Sequence, residues 1–107
     1  MKKIGILGGG WLGLALALEA RKKGHQVKVT STSQERVKLL IDEGLNTQLL
    51  NVTESAILGS LDFFKEIETL IITIPPGLRK NPQSNYVALI EQIIEKVEAY
   101  NIQKVLF

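Results

Sequence analysis

Residues Lys3 to Gly13 read KIGILGGGWLG, a short apolar run that empties into glycines and resumes as a leucine-rich segment. Lys3–Leu7 has the length and composition of a buried strand. Trp11 to Lys23 follows as a helix, closed by Gly24, with Arg21, Lys22 and Lys23 at the negative end of its dipole. Strand, glycine turn and helix within about twenty residues begin an alternation that the rest of the chain continues. Gln26–Thr30 alternates polar and β-branched residues and is the second strand. Thr32 and Glu35 fit a capping box, with Thr32 as the N-cap of a helix that turns Val37, Leu40 and Ile41 inward and stops at Gly44. Thr47–Val52 is the third strand, and Glu54–Leu61 a short helix or turn. Thr69–Ile74 (TLIITI) is a fourth, fully buried strand stopped by Pro75-Pro76-Gly77. Ser84 is placed to cap a long helix to Tyr100, with Val87, Ile90, Ile94 and Val97 on its inner face. Gln103–Phe107 opens a fifth strand.

Strands alternating with helices at this spacing give an α/β fold with a parallel sheet. Right-handed crossovers order the strands 3-2-1-4-5, a Rossmann-type doubly wound sheet, expected as one domain over residues 1–107 and truncated after strand five. The 107 residues suffice for one core, not two. At 45% hydrophobic and 22% charged, the composition is that of a globular domain and excludes disorder. The chain has no cysteine and one histidine, which excludes disulfides, thiolate chemistry and multi-histidine metal centres. A net charge of +2 is too slight to argue for nucleic acid. With neither a bilayer-length apolar run nor a cleavable leader, no membrane partner is expected and the default compartment is the cytoplasm.

Gly8, Gly10 and Gly13 satisfy G-x-G-x-x-G where that pattern has mechanical meaning, between a strand and the helix it feeds. Gly8 permits the tight turn, Gly10 lets a pyrophosphate approach the backbone, and Gly13 lets helix and strands pack closely. The N–H groups of Trp11 and Leu12 and the positive helix end then face the phosphates. Without such a ligand the same glycines make only a tight β–α turn. The Trp11 ring either edges the crevice or packs under a neighbouring loop. The helix is apolar on most sides and expects cover on most sides, from this chain or from a partner.

A site selective for NAD places an acid at the end of the second strand, roughly 20 residues past the glycines. Here that stretch is Thr30-Ser31-Thr32-Ser33, and the first acid is Glu35. Hydroxyls there, with Arg36 nearby, can donate to a 2′-phosphate. NADP is therefore the expected cofactor, although serine and threonine also bind ribose hydroxyls and NAD is not shut out.

Taken together, GILGGGWLG, TSTS and TIPPG resemble the N-terminal part of the atypical short-chain dehydrogenase/reductases identified as NAD(P)-dependent sugar-nucleotide epimerases or dehydratases. The resemblance implies that Gly8, Gly10, Trp11, Leu12 and Gly13 hold the pyrophosphate and that Ser31, Thr32 and Ser33 hold the adenosine ribose. It further implies Asn51 and Val52 beside the adenine, and Ile74, Pro75 and Pro76 bordering the nicotinamide half. In that family the catalytic Ser/Thr and Tyr-x-x-x-Lys lie past the fifth strand. The chain is thus expected to be a piece of a longer protein, to bind dinucleotide without turning over alone, and to self-associate through the fifth-strand edge. Tyr100 and Lys104 match Tyr-x-x-x-Lys by chance, one ending a helix and the other starting a strand. His25 is expected as an exposed loop residue. Two other classes fit the glycine motif: a regulatory nucleotide sensor of the potassium-transport type, and the N-terminal domain of an F420- or imine-reductase-like enzyme.

Overall fold

The computed structural model describes residues 2–8, 10–53, 56–73 and 86–106. Its elements are β1 (Lys3–Leu7), α1 (Trp11–Lys22), β2 (Gln26–Ser31), α2 (Gln34–Asp42), β3 (Asn46–Val52) and β4 (Ile57–Gly59). A 3-10 turn (Leu61–Phe64), β5 (Thr69–Ile72), α3 (Tyr86–Ala99) and β6 (Lys104–Leu106) complete them. One six-stranded sheet runs β4-β3-β2-β1-β5-β6. Five strands are parallel and stand in the expected 3-2-1-4-5 order, so the Rossmann-type architecture holds.

The sixth strand corrects the reading of Glu54–Leu61 as helix or turn. Ile57–Gly59 turns back antiparallel on β3, pairing Val52 with Ile57 and Leu50 with Gly59. Thr53 closes the connection, its Oγ1 donating to the Ala56 carbonyl and accepting the Ala56 N–H, both at 3.0 Å. Three residues are too few for a period to register in sequence.

Side chains alternate across the sheet into two cores. Ile6 and Val29 meet Ala17 of α1 and Leu40 of α2 on one face. Leu7, Leu50, Leu70 and Ile72 meet Phe63, Phe64 and Ile93 on the other. The rings of Phe63 and Phe64 pack edge to face at 5.2 Å, and Tyr100 stacks on Phe64 at 6.0 Å. Such ring pairs add about 0.5–1.5 kcal/mol beyond burial. Tyr100 thus packs on the core of that face, while Lys104 is exposed on β6.

Four further expectations need correction. In α3 the inner face is Ile90, Ile93 and Val97, and Val87 and Ile94 point outward at 66% and 45% exposure. Spacing alone did not separate two apolar stripes on one helix. In α2, Val37 and Leu40 are buried but Ile41 is exposed. The apolar α1 is covered on one side only: Ala17 is buried, Leu14, Leu16 and Leu18 are half-buried, and Leu12 is exposed. Finally, His25 is half-buried, its Nδ1 accepting the Lys2 N–H at 3.0 Å. The expected Ser84 cap and the ends of the fourth and fifth strands at Ile74 and Phe107 lie outside the described residues.

Candidate functional site

The carboxyl ends of the central strands open into a cavity of about 360 Å³. Its floor is the end of β1 and the glycine turn, Leu7, Gly8 and Gly10; one wall is Thr30 to Ser33 with Arg36, and a second is Leu50, Asn51 and Val52. Thr73, following β5, lines a further side.

The glycine turn has a defined shape. Gly8 sits at φ +116°, a conformation that side chains disfavour. Its N–H donates to Thr30 Oγ1 at 3.0 Å, and its carbonyl accepts from Thr73 Oγ1 at 2.8 Å. A Cβ on Gly13 would overlap that same carbonyl oxygen, so Gly13 is required for the helix to start so close to the strand. Gly10 differs: its φ of −74° is ordinary, and a Cβ there would meet nothing within 4 Å among the described residues. The fold does not require glycine at that position, and the space left lies on the cavity wall.

The two helix starts facing the cavity are unlike. Gly10 is the N-cap of α1 and offers no side chain, and the first turn holds no acid. At α2 the cap is Ser33, whose Oγ accepts the Arg36 N–H at 3.3 Å. This corrects the placement of the cap at Thr32. The Ser31 hydroxyl accepts the Ser33 N–H at 3.2 Å, which carries the chain one residue further before the helix begins. Glu35 then stands one position too early to close a capping box. Ser31 is buried, Arg36 half-buried, and Thr32, Ser33 and Asn51 are exposed.

Eight of the expected residues therefore line one cavity: Gly8, Gly10, Ser31, Thr32, Ser33, Arg36, Asn51 and Val52. Leu12 and Gly13 lie outside its wall. Ile74, Pro75, Pro76 and the Trp11 side chain fall outside the described residues. Sequence reasoning passed over Thr73, and it counted Thr30 only as part of the hydroxyl run. Each is a threonine at the carboxyl end of a strand flanking β1, a signal visible in QVKVT and TLIIT.

At the opposite end of the sheet, a cavity of about 300 Å³ is lined by Arg21, His25, Lys28 and Glu66 among others. Two of its cations hold backbone carbonyls: Arg21 donates to Glu43 at 2.8 Å, and Lys28 Nζ to Asp62 and Lys65 at 3.0 and 2.7 Å. Partial burial lowers the Lys28 pKa, against the pull of Glu66 and Asp62. Arg21 thus ties α1 to the end of α2, and Lys28 ties β2 to the 3-10 turn. Among the described residues, no helix is long and apolar enough to cross a membrane.

Five parallel strands in this order, with a glycine turn at the central strand and a cavity at the carboxyl ends, are the frame of a Rossmann-type dinucleotide-binding domain. The chain belongs to the family described as NADP oxidoreductase, coenzyme F420-dependent, which it matches over residues 3–94. It is 28% identical to Protein YeeZ of Escherichia coli over 109 residues, covering 100% of this chain and 40% of that protein. It thus spans well under half the length of the curated relatives it matches. Two solved structures share the fold. One is a protein of Bacteroides thetaiotaomicron named as a candidate epimerase, with TM-score 0.66 and 22% identity, covering 98% of this chain and 46% of that one. The other is the TrkA-N domain of the inner membrane protein ybaL from Escherichia coli, with TM-score 0.56 and 20% identity, covering 100% and 88%.

Proposed function

We propose that the cavity binds the adenosine and pyrophosphate portion of NADP, and that this domain serves a longer oxidoreductase. The observation that carries the reading is Gly10. A residue that the fold leaves free to bear a side chain bears none, on the wall of the cavity and at the uncapped start of α1. A pyrophosphate lying there would meet the N–H groups of Trp11 and Leu12 and the positive helix end. Ser31, Thr32 and Ser33 would take the adenosine ribose, with Arg36 beside its 2′-phosphate, and Asn51 and Val52 would flank the adenine. Ile74, Pro75 and Pro76, following β5, would border the nicotinamide. No acid stands among Thr30 to Ser33 to repel a 2′-phosphate, which supports NADP over NAD.

When bound, the nicotinamide supplies a hydride donor or acceptor; this chain's residues hold and orient it. The family match supports hydride exchange between NADP and a deazaflavin cofactor. The resemblance of TSTS and TIPPG to the epimerase and dehydratase group supports a sugar nucleotide as the second substrate. The two readings are separated by incubating the longer protein with NADPH and oxidised coenzyme F420, or with NADP+ and a sugar nucleotide, and following which substrate is converted. The binding reading itself is tested by calorimetric titration with NADPH and NADH. NADPH is expected to bind at least as tightly, and binding of neither would refute it.

A further inference from the structure

The glycine turn is held from both sides by hydroxyls that the dinucleotide-binding pattern does not include. β1 lies between β2 and β5 in the sheet, so the turn leaving it is flanked by the ends of both neighbours. From β2, Thr30 accepts the N–H of Gly8; from the end of β5, the Thr73 hydroxyl reaches the Gly8 carbonyl at 2.8 Å, with the Leu7 carbonyl the longer alternative at 3.1 Å. These are the two peptide groups on either side of the Gly8 Cα. Fixing both fixes the backbone torsions between them, at a residue whose missing side chain leaves those torsions otherwise loose. Thr30 is 2% exposed, so its bond to Gly8 is shielded from competing water. Thr73 is itself anchored, its N–H donating to the Leu7 carbonyl at 3.0 Å.

We infer that Thr30 and Thr73 are positioning residues for pyrophosphate binding: they hold the Gly8 carbonyl against the helix start, away from the anion, so that N–H groups face it. The inference rests on the proposed dinucleotide reading of the cavity. Without the Thr73 hydroxyl, the Gly8 carbonyl loses its donor and is free to rotate toward the site. A carbonyl oxygen turned toward a pyrophosphate repels it, and the N–H groups are no longer presented as a set.

The test compares two ligands on the full chain by calorimetry: NADP, and 2′-AMP, which has the ribose phosphate and adenine but no pyrophosphate. In Thr73→Val, NADP binding is expected to weaken by about tenfold, the loss of one hydrogen bond to a charge-binding loop. Binding of 2′-AMP should hold, and Thr73→Ser, which keeps the hydroxyl, should restore NADP. Thr30→Val cuts the other tie and should also weaken NADP, with Thr30→Ser restoring it, which guards against misfolding of a single variant. If both ligands weaken together in Thr73→Val, or NADP is unaffected in both valine variants, the positioning role is overturned. If the wild type binds neither ligand, the dinucleotide reading fails first and the inference with it.

Discussion

The Cα of Gly13 stands so close to the carbonyl oxygen of Gly8 that no side chain fits between them. Gly10, three residues earlier, has room for a side chain among the described residues. Two glycines of one motif thus answer to different demands, one to packing and the other to the cavity. Gly13→Ala drives a methyl into backbone and is expected to cost about 1–3 kcal/mol or more. Gly10→Ala should leave stability within about 1 kcal/mol, because a poorer N-cap and a less flexible unfolded chain oppose each other. Yet Gly10→Ala should weaken NADP binding severalfold. Urea unfolding and calorimetry on both variants check the contrast, and a large stability loss in Gly10→Ala would contradict it.

In α3, Ile93 and Ile94 are neighbours in sequence and opposites in environment, one 1% and the other 45% exposed. Ile93→Ala removes a side chain from the core shared with Phe63 and Phe64 and should cost about 2–5 kcal/mol. Ile94→Ala should stay within about 0.5 kcal/mol, as surface changes do. Chemical denaturation of the two variants would distinguish this inner face from one built on Val87 and Ile94.

The alternation of strands and helices made the sheet order legible, because each long element carries its own period and each turn its own glycine or proline. The glycine motif was legible for the same reason: it needs a strand before it and a helix after. What escaped depends on tertiary placement. The β4 strand is held by pairing with β3 and by the Thr53 turn, and three residues show no period of their own. The cap at Ser33 follows from the Ser31 hydroxyl catching the Ser33 N–H, a choice among adjacent hydroxyls that spacing cannot make. Thr73 reads as one more β-branched residue in TLIIT until the sheet sets it beside Gly8.

Lys28 offers a pH test of the tie between β2 and the 3-10 turn. Burial lowers its pKa below 10.5, so its folded state sheds the proton before the unfolded chain does. Between the folded and unfolded pKa values the unfolded state binds more protons, so this group makes stability rise with pH. Its bonds to the Asp62 and Lys65 carbonyls need only an N–H and survive deprotonation. Lys65 has the opposite sign: its hydrogen bond to Asp62 raises its pKa, and it loses stabilisation only above 10.5. Lys28→Met should therefore destabilise, and by more at pH 10 than at pH 7, in urea midpoints measured against wild type. A penalty that shrinks toward pH 10 would show that the charge on Lys28 is favoured by the fold.

The last prediction concerns the end of β2. Ser31 is buried at the cavity wall, its Oγ accepting the Ser33 N–H, while Arg36 follows in the first turn of α2 and lines the same cavity. Ser31→Asp puts a carboxylate where NAD-selective sites carry one, and a carboxylate accepts the Ser33 N–H at least as well. It should accept ribose hydroxyls and repel a 2′-phosphate, shifting the NADP-to-NAD affinity ratio toward NAD by about tenfold or more. Arg36→Ala should lower NADP affinity and leave NAD nearly unchanged, since only the former carries the extra phosphate. The loss should correspond to about 1.5–3 kcal/mol, the scale of a charged hydrogen bond before desolvation. Calorimetry with both cofactors on wild type and both variants supplies the ratios. If Ser31→Asp leaves the ratio where it was, the adenosine ribose does not lie at Ser31. If Arg36→Ala weakens NAD as much as NADP, the guanidinium supports the cavity wall and does not meet the 2′-phosphate.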